Sequence, residues 1–211
     1  MNKIKSIIFD LGGVFIDIDY AATKKEFINL GIKNFDELYK QDFVSSLFED
    51  LEVGKINENN FYNQFRIISN STLSNEQIKK AWNAMIGEFW YDRLEFAFSL
   101  KQQYNVFLLS NTNKIHFDYF ETKFKQTYPK KSIEDFFHQI YYSHQIGLRK
   151  PNASCYLKIL EEHQLLPNEV LFIDDTITNI EGAKNVDLQI VHLMQQMNLK
   201  NSVNQILSIY Q

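Results

Sequence analysis

The chain has 211 residues, of which 45% are hydrophobic, and its formal net charge at pH 7 is −4. This length and composition predict one large domain, or one domain with a sizeable insertion, and argue against disorder. The negative charge argues against non-specific nucleic-acid binding, and no apolar run approaches the roughly 20 residues that span a membrane. The single cysteine, Cys155, is interpreted as a packing residue and fits a reducing compartment. We therefore expect a soluble cytoplasmic protein with no nucleic-acid or membrane partner.

Five short apolar segments predict buried parallel strands. Each is a continuous apolar run rather than an alternating one, which is typical of strands that are covered on both faces. The segments are residues 4–9, 106–110, 139–143, 170–173 and 189–193. Segments with helical spacing separate the last four, at 114–128, from after Pro151 to His163, and at 179–184, and a last helix is predicted at 202–210. Pro151 can stand at the first position of the second of these. The pattern predicts an α/β fold, a doubly wound, Rossmann-like parallel sheet.

The interval between the first and second strands has a different pattern. It contains no convincing strand, and its helical segments are residues 22–30, 35–47, 58–68 and 76–86. Ser74 and Gln77 offer a capping box for the last of these, and a helix at 94–103 returns the chain to the sheet. We therefore predict a core domain of residues 1–18 and 91–211 and an inserted helical cap domain of residues 19–90. Such a cap would form a lid over an active site.

Side chains suited to phosphoryl transfer follow four of the predicted strands. They are Asp10, Ser110, Lys150, and the adjacent pair Asp174 and Asp175. Open α/β sheets bind ligands beyond the carboxyl ends of their strands, so these groups should converge on one crevice. Asp10 is the candidate nucleophile, and Lys150 would neutralise both Asp10 and a bound phosphate. The three carboxylates form a hard oxygen site that suits Mg²⁺.

The candidate phosphate and substrate contacts lie beside these groups. They are the backbone at Leu11 and Gly12, the Ser110 hydroxyl, Asn111 and Lys150. Gly12 and Gly13 allow the backbone to pass close to an anion and turn N–H groups toward it. Each residue also has a structural interpretation. Asp10 could cap a turn, Ser110 and Asn111 or the aspartate pair could cap helices, and Lys150 could be a solvated surface lysine.

Several further side chains have assignments outside these motifs. Arg149 is interpreted as a structural or surface ion pair rather than a ligand. His116 follows Asn113 by one helical turn and could approach the crevice. Phe43, Phe48, Phe61 and Phe65 in the cap are expected to pack helices together, while Phe48 and Glu49 are also the candidates to line the pocket.

The four segments together resemble the motifs of the haloacid dehalogenase superfamily, over essentially the whole chain. In order, the matching segments are Asp10-Leu11-Gly12-Gly13-Val14, Ser110-Asn111, Lys150 and Asp174-Asp175. The helical block after the first strand is similar to the C1 cap of that superfamily. Residues 9–14, 17–19, 52–56, 109–113, 147–151 and 174–183 resemble its α-D-glucose-1-phosphate phosphatase-like branch.

The resemblance implies a Mg²⁺-dependent phosphatase that acts on a small phosphorylated metabolite such as a sugar phosphate. Asp10 would attack phosphorus, and water would then hydrolyse the aspartyl-phosphate. The implied metal ligands are Asp10, the backbone carbonyl of Gly12, Asp175 and, directly or at one remove, Asp174. Ser110, nearby backbone N–H groups and Lys150 would hold the phosphoryl group.

Gly12 departs from the pattern of most phosphatases of this superfamily, which carry an aspartate two positions after the nucleophile as general acid and base. Its carbonyl can still bind a metal, but the proton donor is missing, and such help is typically worth about 10²–10⁴-fold. The glucose-1-phosphate branch also lacks that aspartate, so Gly12 does not by itself predict an inactive protein. Asp17 is a weaker candidate to replace the missing group.

Two other interpretations stay open. A dehalogenase also uses an aspartate nucleophile without the second aspartate, but it needs no metal, so the Asp174-Asp175 pair argues against it. A binding module for phosphorylated ligands or proteins could keep the fold and lose turnover, and only Gly12 favours it. Mg²⁺-dependent turnover of an aryl phosphate would separate this interpretation from a phosphatase.

Overall fold

A computed structural model describes residues 3–39 and 46–210 of the chain. It contains seven strands: β1 Ser6–Phe9, β2 Ile16–Ile18, β3 Ile86–Phe89, β4 Asn105–Ser110, β5 Gln139–Tyr142, β6 Val170–Asp174 and β7 Gln189–His192. Five of them form one sheet in the order β5-β4-β1-β6-β7, and all four pairings are parallel. The five predicted core strands are thereby confirmed, with ends that move by two residues or fewer.

Eleven α-helices occur in the described part of the chain. They are α1 Tyr20–Asn29, α2 Phe35–Leu38, α3 Ser46–Glu52, α4 Glu58–Ile68, α5 Asn75–Asn83, α6 Tyr91–Leu100, α7 Lys114–Thr127, α8 Ser143–Ile146, α9 Ala153–Glu162, α10 Ile177–Lys184 and α11 Leu199–Ile209. The predicted capping box of α5 is present, because Ser74 Oγ accepts from the Gln77 N–H and Gln77 Oε1 accepts from the Ser74 N–H. None of the helices within the described ranges has the length and apolar character to cross a membrane.

Both faces of the large sheet are covered, as the continuous apolar runs predict. Ile7 and Phe9 of β1 belong to a cluster that includes buried residues of α6, α7 and α11. Ile8, between them, belongs to a second cluster built on α9 and α10, which also contains Cys155. Because successive side chains of a strand point to opposite faces, β1 is buried from both sides. The doubly wound α/β fold is confirmed, and so is the packing role of Cys155.

The cap corrects two predictions. The interval 19–90 is not free of strands, because β3 lies in it and pairs antiparallel with β2. Residues 35–47 do not form one helix, because α2 ends at Leu38 and Tyr39 is extended. Part of that predicted helix, including Phe43, lies outside the described residues. The strand β3 has only four residues and needs β2 as its partner, and short segments of this kind show little periodicity of their own.

Candidate active site

The ends of three adjacent strands bring the predicted groups together. Asp10 directly follows β1, and its backbone N–H donates to the carbonyl of Ile173 in β6 at 2.9 Å. Ser110 ends β4, and Asp174 ends β6, and these strands flank β1. All three side chains therefore lie at the carboxyl edge of the parallel sheet, where ligands of this fold class bind.

Lys150 is the charged centre of the site. Its side chain is fully buried, and Nζ lies 2.7 Å from Asp10 Oδ1 and 2.7 Å from Asp174 Oδ2. Asn111 holds its backbone from both sides: Asn111 Nδ2 donates to the Lys150 carbonyl, and the Lys150 N–H donates to Asn111 Oδ1, each at 2.9 Å. Burial lowers the pKa of Lys150, but the attraction of the two carboxylates outweighs it and raises that pKa above its usual value. Lys150 is therefore a fixed cation and not a surface lysine.

The carboxylates carry more negative charge than Lys150 can offset. Burial raises the pKa of Asp10 to about 8, and the repulsion of Asp174 and Asp175 adds to it, although Lys150 acts in the opposite direction. Burial and Asp174 likewise raise the pKa of Asp175. A bound cation would reverse this balance and favour the ionised form of each carboxylate.

Asp174 is held behind the cavity by polar partners. It is fully buried, and its two oxygens accept from Lys150 Nζ, from the Asn179 amide at 3.1 and 3.2 Å, and from the Thr176 N–H at 2.8 Å. Each oxygen thus has a donor, as a buried carboxylate requires. This network, to which the Asn179 amide contributes, orients the Asp174 carboxylate.

Asp175 is exposed toward the cavity, and Gly13 makes room for it. Gly13 has φ +67°, and a Cβ atom there would lie 2.1 Å from Asp175 Oδ2. One ligand oxygen each from Asp10, Asp174 and Asp175 lies within 4.8 Å of the others. Three carboxylates at this spacing, with one lysine between two of them, fit a hard divalent cation such as Mg²⁺.

These groups line one side of a cavity of about 800 Å³. The predicted site residues that line it are Asp10, Leu11, Gly12, Ser110, Asn111, Lys150 and Asp175. Asp174 does not line it, since Lys150 and Asn179 cover its carboxylate. The side chain of Asn111, predicted to bind phosphate, instead holds Lys150, so its predicted contact to phosphate rests on its backbone N–H.

The cap supplies the opposite side of the cavity. The residues of the interval 19–90 that line it are Tyr20, Tyr39, Glu52, Trp82, Met85, Ile86 and Trp90. Phe48 and Glu49 do not line it. Phe48 packs in the aromatic centre of the cap, against Phe61 and Phe65, as the helix-packing interpretation predicts.

One ion pair joins this side to the core. Arg149 Nε donates to Glu52 Oε2 at 2.5 Å, and both side chains are largely buried. The predicted ion pair of Arg149 is thereby confirmed, and its partner is a cap residue. Burial raises the pKa of Glu52, while Arg149 opposes the rise, so this carboxylate depends on its partner for its charge.

Arg93 is a positioning residue that the sequence does not predict. Arg93 Nη1 donates to the carbonyls of Gly13 and Val14, at 3.2 and 2.9 Å, and holds the loop after Asp10. An arginine early in a helix gives no sequence pattern that indicates this contact.

Pro151 does not begin a helix, because α9 begins at Ala153 with Asn152 as its N-cap residue.

Comparison with known proteins agrees with this geometry. A family model described as haloacid dehalogenase-like hydrolase matches residues 4–187. A D-ribitol-5-phosphate phosphatase from Bacteroides thetaiotaomicron is 30% identical over 187 residues, which is 88% of this chain and 90% of that protein.

Two similar solved structures are also haloacid dehalogenase family proteins. The wild-type haloacid dehalogenase family enzyme bt-2542 from Bacteroides thetaiotaomicron, in complex with magnesium and inorganic phosphate, superposes with a TM-score of 0.80 at 28% identity, covering 94% of this chain and 98% of that one. A predicted haloacid dehalogenase-like hydrolase from Porphyromonas gingivalis has a TM-score of 0.87 at 27% identity, covering 97% and 98% of the two chains. The chain belongs to the haloacid dehalogenase-like hydrolases.

Proposed function

We propose that this protein is a Mg²⁺-dependent phosphatase of small phosphorylated metabolites, with a sugar or polyol phosphate as its substrate. The observation that carries the proposal is the arrangement of Asp10, Lys150, Asp174 and Asp175 at one end of a cavity of about 800 Å³. A cavity of this size suits a metabolite rather than a macromolecule. The similarity to a D-ribitol-5-phosphate phosphatase supports the same substrate class. The narrower assignment to a glucose-1-phosphate branch stays a prediction.

The proposed reaction has two steps. A carboxylate oxygen of Asp10 attacks phosphorus, the ester P–O bond breaks, and the leaving alkoxide takes a proton from solvent to become the alcohol. Water then attacks phosphorus and gives its proton to solvent, the P–O bond to Asp10 breaks with recovery of the carboxylate, and inorganic phosphate is released. Lys150 and the backbone N–H groups of Leu11 and Gly12 hold the negative charge of the phosphoryl oxygens, and Ser110 positions them; the Gly13 N–H, also predicted to turn toward the anion, instead donates to the Ile16 carbonyl at 2.9 Å.

Mg²⁺ would be held by Asp10, Asp175 and the Gly12 carbonyl, with Asp174 in support. A bound Mg²⁺ supplies electrostatic stabilisation of the phosphoryl group. Burial and the repulsion of Asp174 and Asp175 raise the pKa of Asp10, and a cation at this site would offset both, so the nucleophile would be ionised in the loaded enzyme. We propose in addition that residues 1–18 and 91–211 are the core domain and 19–90 the cap, with the β2–β3 pair where the chain passes between them.

Inorganic phosphate release tests the proposal directly. We would assay p-nitrophenyl phosphate and a panel of sugar and polyol phosphates, with Mg²⁺ and with EDTA, for the wild type and for Asp10→Asn. Release that needs Mg²⁺ and disappears in Asp10→Asn is the expected result. Folded protein that releases phosphate from none of these substrates would contradict the proposal and favour a binding role, with Gly12 as the decisive residue.

A further inference from the structure

His116 is a buried polar residue on the cavity wall for which the proposed reaction has no use. It lies in the first turn of α7, is 7% exposed, and lines the same cavity as Asp10. Its backbone N–H donates to the side chain of Asn113, the N-cap residue of the helix, at 3.0 Å. Its position relative to Ser110 and Asn111, a few residues earlier, is therefore fixed by the start of the helix.

The orientation of the imidazole ring is fixed by a second asparagine. His116 Nδ1 lies 2.8 Å from Asn83 Oδ1, and an amide oxygen can only accept, so Nδ1 carries the proton. The other nitrogen, Nε2, then has a free lone pair. Asn83 borders a separate groove and does not line the active-site cavity. His116 lines the cavity and its Nδ1 is directed to Asn83, which does not line it, so we place Nε2 on the cavity side of the ring.

The ring stays neutral and is packed against the cap. Burial lowers the pKa of His116 to about 3, so at physiological pH it acts as a hydrogen-bond acceptor and has no proton to give to a leaving group. Trp82 of α5 stacks on it, with ring centroids 4.8 Å apart and planes 25° apart. Within the described residues, the Trp82 Nε1–H is buried without a hydrogen-bond partner. At the boundary of cap and core, the His116 ring with its fixed acceptor nitrogen thus stacks on the Trp82 ring, whose own N–H has no partner in the described part of the chain.

We infer that His116 is a specificity-determining residue, whose Nε2 accepts a hydrogen bond from a hydroxyl group on the carbon chain of the substrate. The inference rests on the proposed function and deepens it, because it assigns the preferred ligands to hydroxylated phosphate esters, that is, polyol and sugar phosphates. A hydroxyl group matches this acceptor, since its O–H can donate to Nε2. An alkyl phosphate leaves this acceptor without a partner, and sites that hydrogen-bond a hydroxyl reject analogues that lack it.

Two variants separate the acceptor role from a packing role. The amide of His116→Asn lies near the position of Nδ1, so it keeps a donor for Asn83 and removes the acceptor on the cavity side. The longer His116→Gln extends an amide oxygen toward the position of Nε2 and loses the donor to Asn83. We would measure kcat and KM with Mg²⁺ for the wild type and both variants, on D-ribitol 5-phosphate, n-pentyl phosphate and p-nitrophenyl phosphate.

The expected result is a loss that depends on substrate and variant. His116→Asn should lower kcat/KM for D-ribitol 5-phosphate by roughly 10- to 100-fold and change that for the two phosphates without hydroxyl groups by no more than about threefold. His116→Gln should recover a large part of the loss. An equal loss on all three substrates, a larger loss in His116→Gln than in His116→Asn, or no loss in either variant would overturn the inference.

The same assays distinguish a failure of the inference about His116 from a failure of the proposed function. A wild type that hydrolyses p-nitrophenyl phosphate but does not prefer D-ribitol 5-phosphate to n-pentyl phosphate would overturn the role of His116 and leave a phosphatase. A wild type with no turnover of any of the three would overturn both.

Discussion

The two walls of the cavity are stabilised in opposite ways. On the core wall, charged groups hold one another, and Lys150 lies 2.7 Å from a carboxylate on either side. On the cap wall, behind Tyr39 and Trp82, aromatic rings pack together, with Phe27 and Phe35 stacked at 4.5 Å between centroids. Buried charges are position-sensitive and costly to separate, whereas apolar packing tolerates changes of shape.

This difference assigns the two walls different tasks. The core wall provides groups that any phosphate ester needs, so damage there should affect all substrates alike. Under the proposed function, we expect the cap wall, where Glu52 and Trp82 line the cavity, to surround the part of the substrate that differs between metabolites. Damage there should distinguish one substrate from another.

Replacing Lys150 should have the largest effect. Lys150→Met leaves the buried carboxylates of Asp10 and Asp174 without their cation, and removing one partner of a buried ion pair costs about 3–5 kcal/mol. We expect that loss in the free energy of unfolding, measured in urea, and phosphate release at background on every substrate. Lys158→Met is the control, because Lys158 forms a partly exposed pair with Glu162 at 3.5 Å and should change stability by less than about 1 kcal/mol. A Lys150→Met protein as stable as the wild type would contradict the description of the core wall.

Gly13→Ala should damage the metal site without removing a ligand. The new Cβ would lie 2.1 Å from Asp175 Oδ2, and φ is +67°. Gly147→Ala is a matched control, since Gly147 has φ +70° and nothing within 4 Å of its Cβ position. Both should lose about 1–2 kcal/mol of stability from the backbone alone. Only Gly13→Ala should need more Mg²⁺ for half-maximal activity and lose roughly 10²-fold in kcat/KM, because it displaces Asp175. Equal activity of the two variants would argue against Asp175 as a metal ligand.

The same contrast between the walls explains what the sequence could predict. The core strands were found because β1, β4 and β6 are continuous apolar runs that end in polar residues, and parallel topology brings those ends together. The convergence of Asp10, Ser110 and Lys150 follows from topology, although which carboxylates contact Lys150 does not.

The cap could not be predicted to the same degree. Its helices have clear periodicity, but β3 exists only because β2 lies beside it, and the extended Tyr39 interrupts a helical pattern. Glu52 lines the cavity and pairs with Arg149, which lies 97 positions away along the chain. Asn83, the partner of His116 Nδ1, lies 33 positions away. Contacts over such separations leave no local pattern in a single sequence.

The pair of Glu52 and Arg149 should couple the two walls to a smaller extent. Glu52→Gln and Arg149→Gln should each raise KM for a polyol phosphate about 3- to 10-fold and leave turnover of p-nitrophenyl phosphate nearly unchanged, because both residues line the cavity and the pair holds Glu52 of the cap against the core. A double-mutant cycle in urea should give a coupling energy of about 1 kcal/mol. The exposed pair of Lys55 and Asp50, at 3.1 Å, is the comparison and should give no more than about half of that. Equal coupling in the two pairs would remove the special role of the Glu52–Arg149 contact.

Ser74→Ala should have the smallest effect, and it tests whether stability of the cap can be separated from its task. It removes one half of the capping box at the start of α5, which should cost about 1 kcal/mol. Trp82 lies in the last turn of this helix, at the opposite end from Ser74, so the contact of Trp82 with His116 should survive. We therefore expect a lower midpoint in urea with kcat/KM unchanged on polyol and aryl phosphates alike. A selective loss on the polyol phosphate would mean that the cap wall depends on the whole of α5, and the packing of its aromatic rings would then be less tolerant than the comparison of the two walls implies.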